Sequence, residues 1–215
     1  MTRTRLFATQ LSILGLLIPL PALADVPSPQ TSSVPDLLTL VGRDGGGAID
    51  PSAPFTVVVR KLSGRPVPGA DVVLEFSGCP DLRFCADQGD PNVTADCTHH
   101  VIRARADGNG QVTFHVQGCA ANTGASRGPT GPALNVYADG VPLKVVRVAA
   151  LDETGSNGLD PNDLSAWLAD FFSGEAFARS DYDGDGTLDP NDLSLWLGPF
   201  LGGASALGCG SATCP

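Results

Sequence analysis

The segment Leu159-Asp160-Pro161-Asn162-Asp163-Leu164-Ser165 recurs unchanged 29 residues later as Leu188-Asp189-Pro190-Asn191-Asp192-Leu193-Ser194. Trp167-Leu168 and Trp196-Leu197 follow the two copies at the same offset. Units this alike must fold the same way twice, and each must bury its apolar face against a neighbour. The repeat therefore constrains the C-terminal part of the chain more tightly than any local propensity.

Charge divides the chain at the same place. Of 23 acidic side chains, 11 lie within residues 151–201, where Arg179 is the only base. Residues 25–150 carry 12 acidic and 10 basic side chains. This asymmetry predicts a boundary near Ala149 to Asp152. The net charge of -10 argues against nucleic acid or an anionic membrane as partner, because both need a basic surface.

The second copy has the chemistry of a hard cation. Asp181, Asp183, Asp185, Gly186, Leu188, Asp189 and Asp192 fall at positions 1, 3, 5, 6, 8, 9 and 12 of the calcium-loop pattern. Carboxylates at alternate positions turn inward as the backbone wraps an ion, and glycine at position 6 makes the sharp turn. Thr187 at position 7 would offer its carbonyl, Asp189 acts through water, and Asp192 closes the site. Without a cation these carboxylates would repel one another. Asp181, Asp183, Asp185, Thr187, Asp189 and Asp192 are the expected Ca2+ ligands.

The first copy is a weaker version of the same loop. Asp152, Thr154, Ser156, Gly158, Asp160 and Asp163 stand at positions 1, 3, 5, 7, 9 and 12, and Asn157 takes the turn at position 6. Two hydroxyls replace two carboxylates, so weaker calcium binding is expected. Each loop leads into one helix with Pro161 or Pro190 near its start, where a missing N–H costs little. Leu164, Trp167, Leu168, Phe171 and Phe172 form an apolar stripe on the first helix; Leu193, Trp196, Leu197, Phe200 and Leu201 repeat it.

A duplicated loop with one exiting helix, over residues 152 to 201, resembles the dockerin family. Asp rather than Glu at position 12 also fits dockerins better than sensor EF-hands. The resemblance implies docking onto a cohesin-like module in an extracellular assembly, often one built for polysaccharide breakdown. The docking positions would be Pro161, Asn162, Pro190 and Asn191, where cellulosomal dockerins commonly carry a Ser-Thr pair.

Residues 25–150 read as antiparallel β. Phe55 to Arg60, Asp71 to Phe76, Val101 to Arg105, Gln111 to Gln117, Ala133 to Tyr137 and Val141 to Val148 are short β-branched or alternating runs, joined by Gly/Pro turns. Val112, Phe114 and Val116 should share a buried face. Asp107-Gly108-Asn109-Gly110 and Asp139-Gly140 supply hairpin turns. With Val34 to Leu40 there are about seven strands, which suggests a two-sheet sandwich. Gly64-Arg65-Pro66-Val67-Pro68-Gly69-Ala70-Asp71-Val72, followed by the Asp107 to Gly110 turn, resembles bacterial immunoglobulin-like domains of the invasin/intimin type. That resemblance implies a spacer or display module without catalysis. The expected architecture is mainly β: an immunoglobulin-like antiparallel β-sandwich followed by a small α-helical dockerin-like calcium-binding module.

At the N-terminus, Arg3 and Arg5 precede the apolar run Leu11 to Leu20 and then Pro21-Ala22-Leu23-Ala24. This is a secretory signal pattern with a cut expected after Ala24, and the run is too short to span a membrane. Export makes disulfides the expected state of Cys79, Cys85, Cys97, Cys119, Cys209 and Cys214. A zinc site is disfavoured, since no C-x-x-C pair occurs. Position favours Cys209 with Cys214 as a small loop in the Gly-rich tail of residues 202–215, and two bridges among the others.

No catalytic constellation emerges. Gly124-Ala125-Ser126-Arg127-Gly128 matches G-x-S-x-G but sits in a Gly/Pro-rich stretch with no helix after it. His99, His100 and His115 have no partner at ligand or triad spacing. Two expectations follow: a secreted non-catalytic protein attached to an extracellular protein through a calcium-loaded module, or a surface adhesin in which that module is only a stabilising cap.

Overall fold

A computed structural model describes residues 25–121, 131, 133–175, 177–209 and 212–214. The signal-like segment and Gly124 to Gly128 lie outside the described residues. Among those described, the chain is mainly β with two helices: β1 (Leu37–Leu40), β2 (Phe55–Val58), β3 (Asp71–Glu75), β4 (Leu82–Cys85), β5 (Val93–Asp96), β6 (Val101–Arg105), β7 (Gln111–Phe114), β8 (Gly118–Ala120), β9 (Leu134–Ala138), β10 (Val141–Ala150), α1 (Pro161–Ser173), α2 (Pro190–Gly202) and β11 (Thr213–Cys214).

Six strands form one sheet in the order β1-β10-β9-β3-β6-β5, three form β11-β4-β8, and β2 pairs with β7. The six-stranded sheet is mixed. β1 runs parallel to β10, with Leu37 opposite Arg147 and Leu40 opposite Ala150, which corrects the expectation of a wholly antiparallel architecture. The long intervening chain permits a parallel return that a tight hairpin would forbid.

The alternating runs bury the residues their period predicts. Val72 and Leu74 of β3, Phe55 and Val57 of β2, Val112 and Phe114 of β7 and Leu134 and Val136 of β9 face one apolar core. The β9–β10 hairpin turns at Asp139 and Gly140, both at positive φ. The Asp107 to Gly110 turn does form, with the Gly110 N–H donating to the Asp107 carbonyl. It is not a hairpin, however. β6 pairs with β3 and β5, whereas β7 pairs with β2, so the turn carries the chain from one sheet to another. Glycine is required at 110, because a Cβ there would lie 2.5 Å from the Val59 carbonyl oxygen at a φ of +73°.

The cysteine pairing differs from the one position suggested. Cys85 bonds to Cys209 and Cys97 to Cys214, with Cα separations of 5.3 and 4.9 Å, while Cys79 and Cys119 are buried free thiols. The reason is tertiary. β11 adds to the edge of β4, Thr213 opposite Cys85, and Leu207 exchanges backbone hydrogen bonds with Arg43. The tail is thereby folded back over the β-region, and Cys209 and Cys214 meet distant partners rather than each other. Burial pushes both free thiols up to about 12, so neither is a reactive thiolate at neutral pH. Two disulfides accord with an oxidising setting.

A second core lies where the helices meet the sheet. Trp167, Tyr182, Trp196 and Leu159 pack with Val41, Ala149 and Leu151, and Leu37, Ile49 and Ala53 border them. The stripes therefore bury partly against the β-region and not only against each other. Phe172 and Leu201, expected within the stripes, are each 77% exposed. They follow Phe171 and Phe200 by one residue, and the ~100° step of the helix carries them off the buried face.

Candidate metal centre

The two loops share left-handed turns at positions 4 and 6 and part at position 7, where Gly158 lies at φ 132° and Thr187 has no positive φ. Position 4 is Gly155 at φ 67° and Gly184 at φ 75°; position 6 is Asn157 at φ 79° and Gly186 at φ 91°. Asparagine tolerates the left-handed region better than most residues, which lets the first loop keep the turn without glycine. Each loop then enters its helix through the same device. Asp160 and Asp189 are N-caps that accept the amide of Asn162 or Asn191, and Asp163 and Asp192 at the N3 position accept the N-cap amide in return.

In the second loop, one carboxylate oxygen from each of Asp181, Asp183 and Asp185 lies within 4.8 Å of the others. Asp181 is buried and held from three sides: Oδ1 accepts the Gly184 amide, and Oδ2 accepts the Gly186 amide and the Arg147 guanidinium, the last at 2.8 Å. Asp183 and Asp185 reach the same space from the exposed side. Oxygen donors grouped in this way suit a hard divalent cation such as Ca2+ or Mg2+. Burial raises the Asp181 and Asp192 carboxyls, whereas the Thr187 hydroxyl lowers Asp185.

Asp192 stands apart from the three. Its Oδ1 accepts the amides of Tyr182 and Asp183, and its Oδ2 accepts that of Asp189, so it ties both ends of the loop to the helix. Asp189 is engaged as the N-cap, and Thr187 donates its amide and hydroxyl to Asp185.

The first loop satisfies itself. Thr154 donates its amide and hydroxyl to Asp163, and Ser156 donates its hydroxyl toward the Gly158 carbonyl and Asp160. Asp152 accepts the amides of Ser156, Asn157 and Gly158. Hydroxyl protons therefore supply part of what a cation supplies in a carboxylate-rich loop. Burial, opposed by the Asp160 and Thr154 amides, pushes the Asp163 carboxyl up to about 6.

The repeats are bonded reciprocally. Trp167 of α1 donates its indole N–H to the carbonyl of Ser180, the residue before the second loop, at 3.1 Å. Trp196 of α2 donates to the carbonyl of Leu151, the residue before the first loop, at 3.0 Å. Beside them lies a buried polar group in which Arg179 pairs with Asp170 at 2.8 Å and the Tyr182 hydroxyl donates to Glu153. Sequence reasoning passed over Arg147, Glu153, Asp170 and Tyr182. Only the shared offset of Glu153 and Tyr182, each following the first loop residue, could have drawn notice.

Pro161, Asn162, Pro190 and Asn191 are exposed at the two helix starts. His99 pairs with Asp96 at 2.7 Å on the surface. No helix among the described residues is long and apolar enough to cross a membrane. Comparison with family models, curated proteins and solved structures found no match to this chain.

Proposed function

We propose that this is a secreted, non-catalytic protein that binds calcium through a dockerin-like C-terminal module and attaches by it to an extracellular, cohesin-like partner. The β-region is read as an immunoglobulin-like sandwich with one parallel edge pair, serving as the displayed or spacing unit. One observation carries the reading: three carboxylate oxygens converge in a loop whose left-handed turns at positions 4 and 6 and helix cap are duplicated 29 residues earlier. A solvated acidic turn has no need of the buried Asp181, the positive-φ glycines or the capping box.

Titration calorimetry of the whole chain with Ca2+ tests the premise, with Asp181→Ala as control. Saturable heat that the substitution abolishes is expected; absence of heat, or heat the substitution leaves unchanged, overturns it. Attachment is tested with a purified cohesin module, which should bind in calcium and release in chelator. A second reading, a surface adhesin with the calcium module as a cap, draws on the core shared by Trp167, Trp196, Val41 and Ala149. Calcium-dependent stability without cohesin binding would favour it.

A further inference from the structure

At the corner of the six-stranded sheet, where β5 begins beside the C-terminal end of β6, Asp71, Asn92, Thr94, Arg103, Ala104 and Arg105 line a concavity of about 440 Å³. This lies within the ~300–1,000 Å³ typical of small-ligand sites. Arg103 and Arg105 flank the buried Ala104, so strand alternation sends both guanidiniums to the outer face, with Cα atoms ~7 Å apart. Thr94 is the cross-strand neighbour of Arg103, and Asp71 that of Arg105.

The lining offers unused hydrogen-bonding groups. Among the described residues neither guanidinium pairs with a carboxylate or makes a hydrogen bond, in a chain of net charge -10. The Asn92 side-chain amide donates to Asp90, and among the described residues its carbonyl oxygen and the Thr94 hydroxyl have no hydrogen-bond partner. Two guanidiniums against the Asp71 carboxylate, with the Asp90 carboxylate behind Asn92, leave at most one net positive charge. That balances a carboxylate better than a phosphate dianion. An arginine fork binds a carboxylate in bidentate fashion, while Asp71, Asn92 and Thr94 supply acceptors suited to hydroxyl groups. Ala104 is the only apolar residue of the lining, which gives no anchor for the side chains of a peptide.

We propose that this notch binds a carboxylate-bearing saccharide, a sugar of the uronate type, with Arg103 and Arg105 on the carboxylate and Asp71, Asn92 and Thr94 on its hydroxyls. The site is separate from the calcium loops and does not depend on them. The test is titration calorimetry of the whole chain with a galacturonate trisaccharide, and with the neutral galactose trisaccharide as comparison. Saturable binding at about millimolar or tighter is expected for the uronate alone. It should weaken as salt is raised and fall at least about tenfold in Arg103→Gln/Arg105→Gln. Arg103→Lys keeps the charge, loses the fork and should fall in between. Melting temperatures of these variants should match wild type, since both side chains are exposed. No saturable uronate binding, equal binding of the neutral sugar, or wild-type affinity in the folded double variant would each overturn the proposal.

Discussion

The Tyr182 hydroxyl donates a 2.7 Å hydrogen bond to Glu153 Oε1, and the two residues hold the same place in the two repeats, each directly after the first residue of its loop. The duplicated units thus meet at equivalent positions, with a phenol on one side and a carboxyl on the other. Both are buried, and among the described residues the Glu153 Oε2 makes no hydrogen bond, with Arg179 at 3.7 Å. Tyr182→Phe should therefore destabilise the chain by ~1–3 kcal/mol, since it removes a buried phenolic donor that serves both the Glu153 carboxyl and the Ala150 carbonyl. Urea denaturation would measure it, and an unchanged midpoint would show that the contact carries no stability.

Burial pushes the Glu153 carboxyl up to about 8 from an ordinary value of 4.5. The folded chain thus keeps a proton that the unfolded chain has released, and stability falls as pH rises between those two values. Above about 8 the loss levels off, at ~3–5 kcal/mol at most. Asp163, raised to about 6, adds a loss of the same sign in a lower window. In chelator, Glu153→Gln should flatten the stability-pH profile between about 5 and 8 without abolishing it. Parallel profiles for wild type and variant would show that Glu153 is not the titrating group.

The unlike chemistry of the two loops sets a stoichiometry. Thr154 and Ser156 supply protons to Asp163 and Asp160, whereas Asp183 and Asp185 add only negative charge. One calcium per chain is expected, and Thr154→Val should cost ~1 kcal/mol while leaving that number unchanged. Thr154→Asp/Ser156→Asp should create a second site, read by calorimetry as a stoichiometry of two. A stoichiometry of two in wild type would mean the hydroxyl-bonded loop opens to ligate the ion.

Buried Cys79 and Cys119 make a simple chemical prediction. A thiol reagent should label no cysteine in the native chain and two in denaturant, with mass spectrometry placing both labels at these residues. Four protected cysteines, paired 85 with 209 and 97 with 214, should remain. Label at Cys209 or Cys214 would refute the return of the tail over β4.

The Asp181-Asp183-Asp185 cluster could be read in the sequence from carboxylates at alternate positions around a glycine turn, and both helix starts from capping, which imposes Asp at the N-cap and N3 of each copy. The inward faces of β2, β3, β7 and β9 were legible for a similar reason, since a period of two survives in their β-branched residues. β4, β5, β8 and β11 were not. They are two to four residues long, and they take their order from a partner strand or from disulfides that span 124 and 117 residues. Local position therefore favoured Cys209 with Cys214, although the chain returns each to the β-region. Arg147 was hidden likewise: on β10 it reads as an ordinary strand residue, and only tertiary packing brings its guanidinium to Asp181.

The reciprocal tryptophans allow the two loops to be perturbed one at a time. Trp167 holds the carbonyl of Ser180, directly before Asp181, while Trp196 holds that of Leu151, directly before Asp152. Replacing either by Phe removes one buried hydrogen bond and keeps most of the ring packing, so each should cost ~1–3 kcal/mol. The effects on calcium should nevertheless differ. Trp167→Phe frees the start of the carboxylate-rich loop and should weaken binding severalfold, because Asp181 is then less firmly oriented. Trp196→Phe frees the start of the hydroxyl-bonded loop and should leave calcium affinity near wild type. Calorimetry on both variants decides the matter: equal losses of affinity would mean that the repeats respond as one cooperative unit, with no crossed assignment of helix to loop.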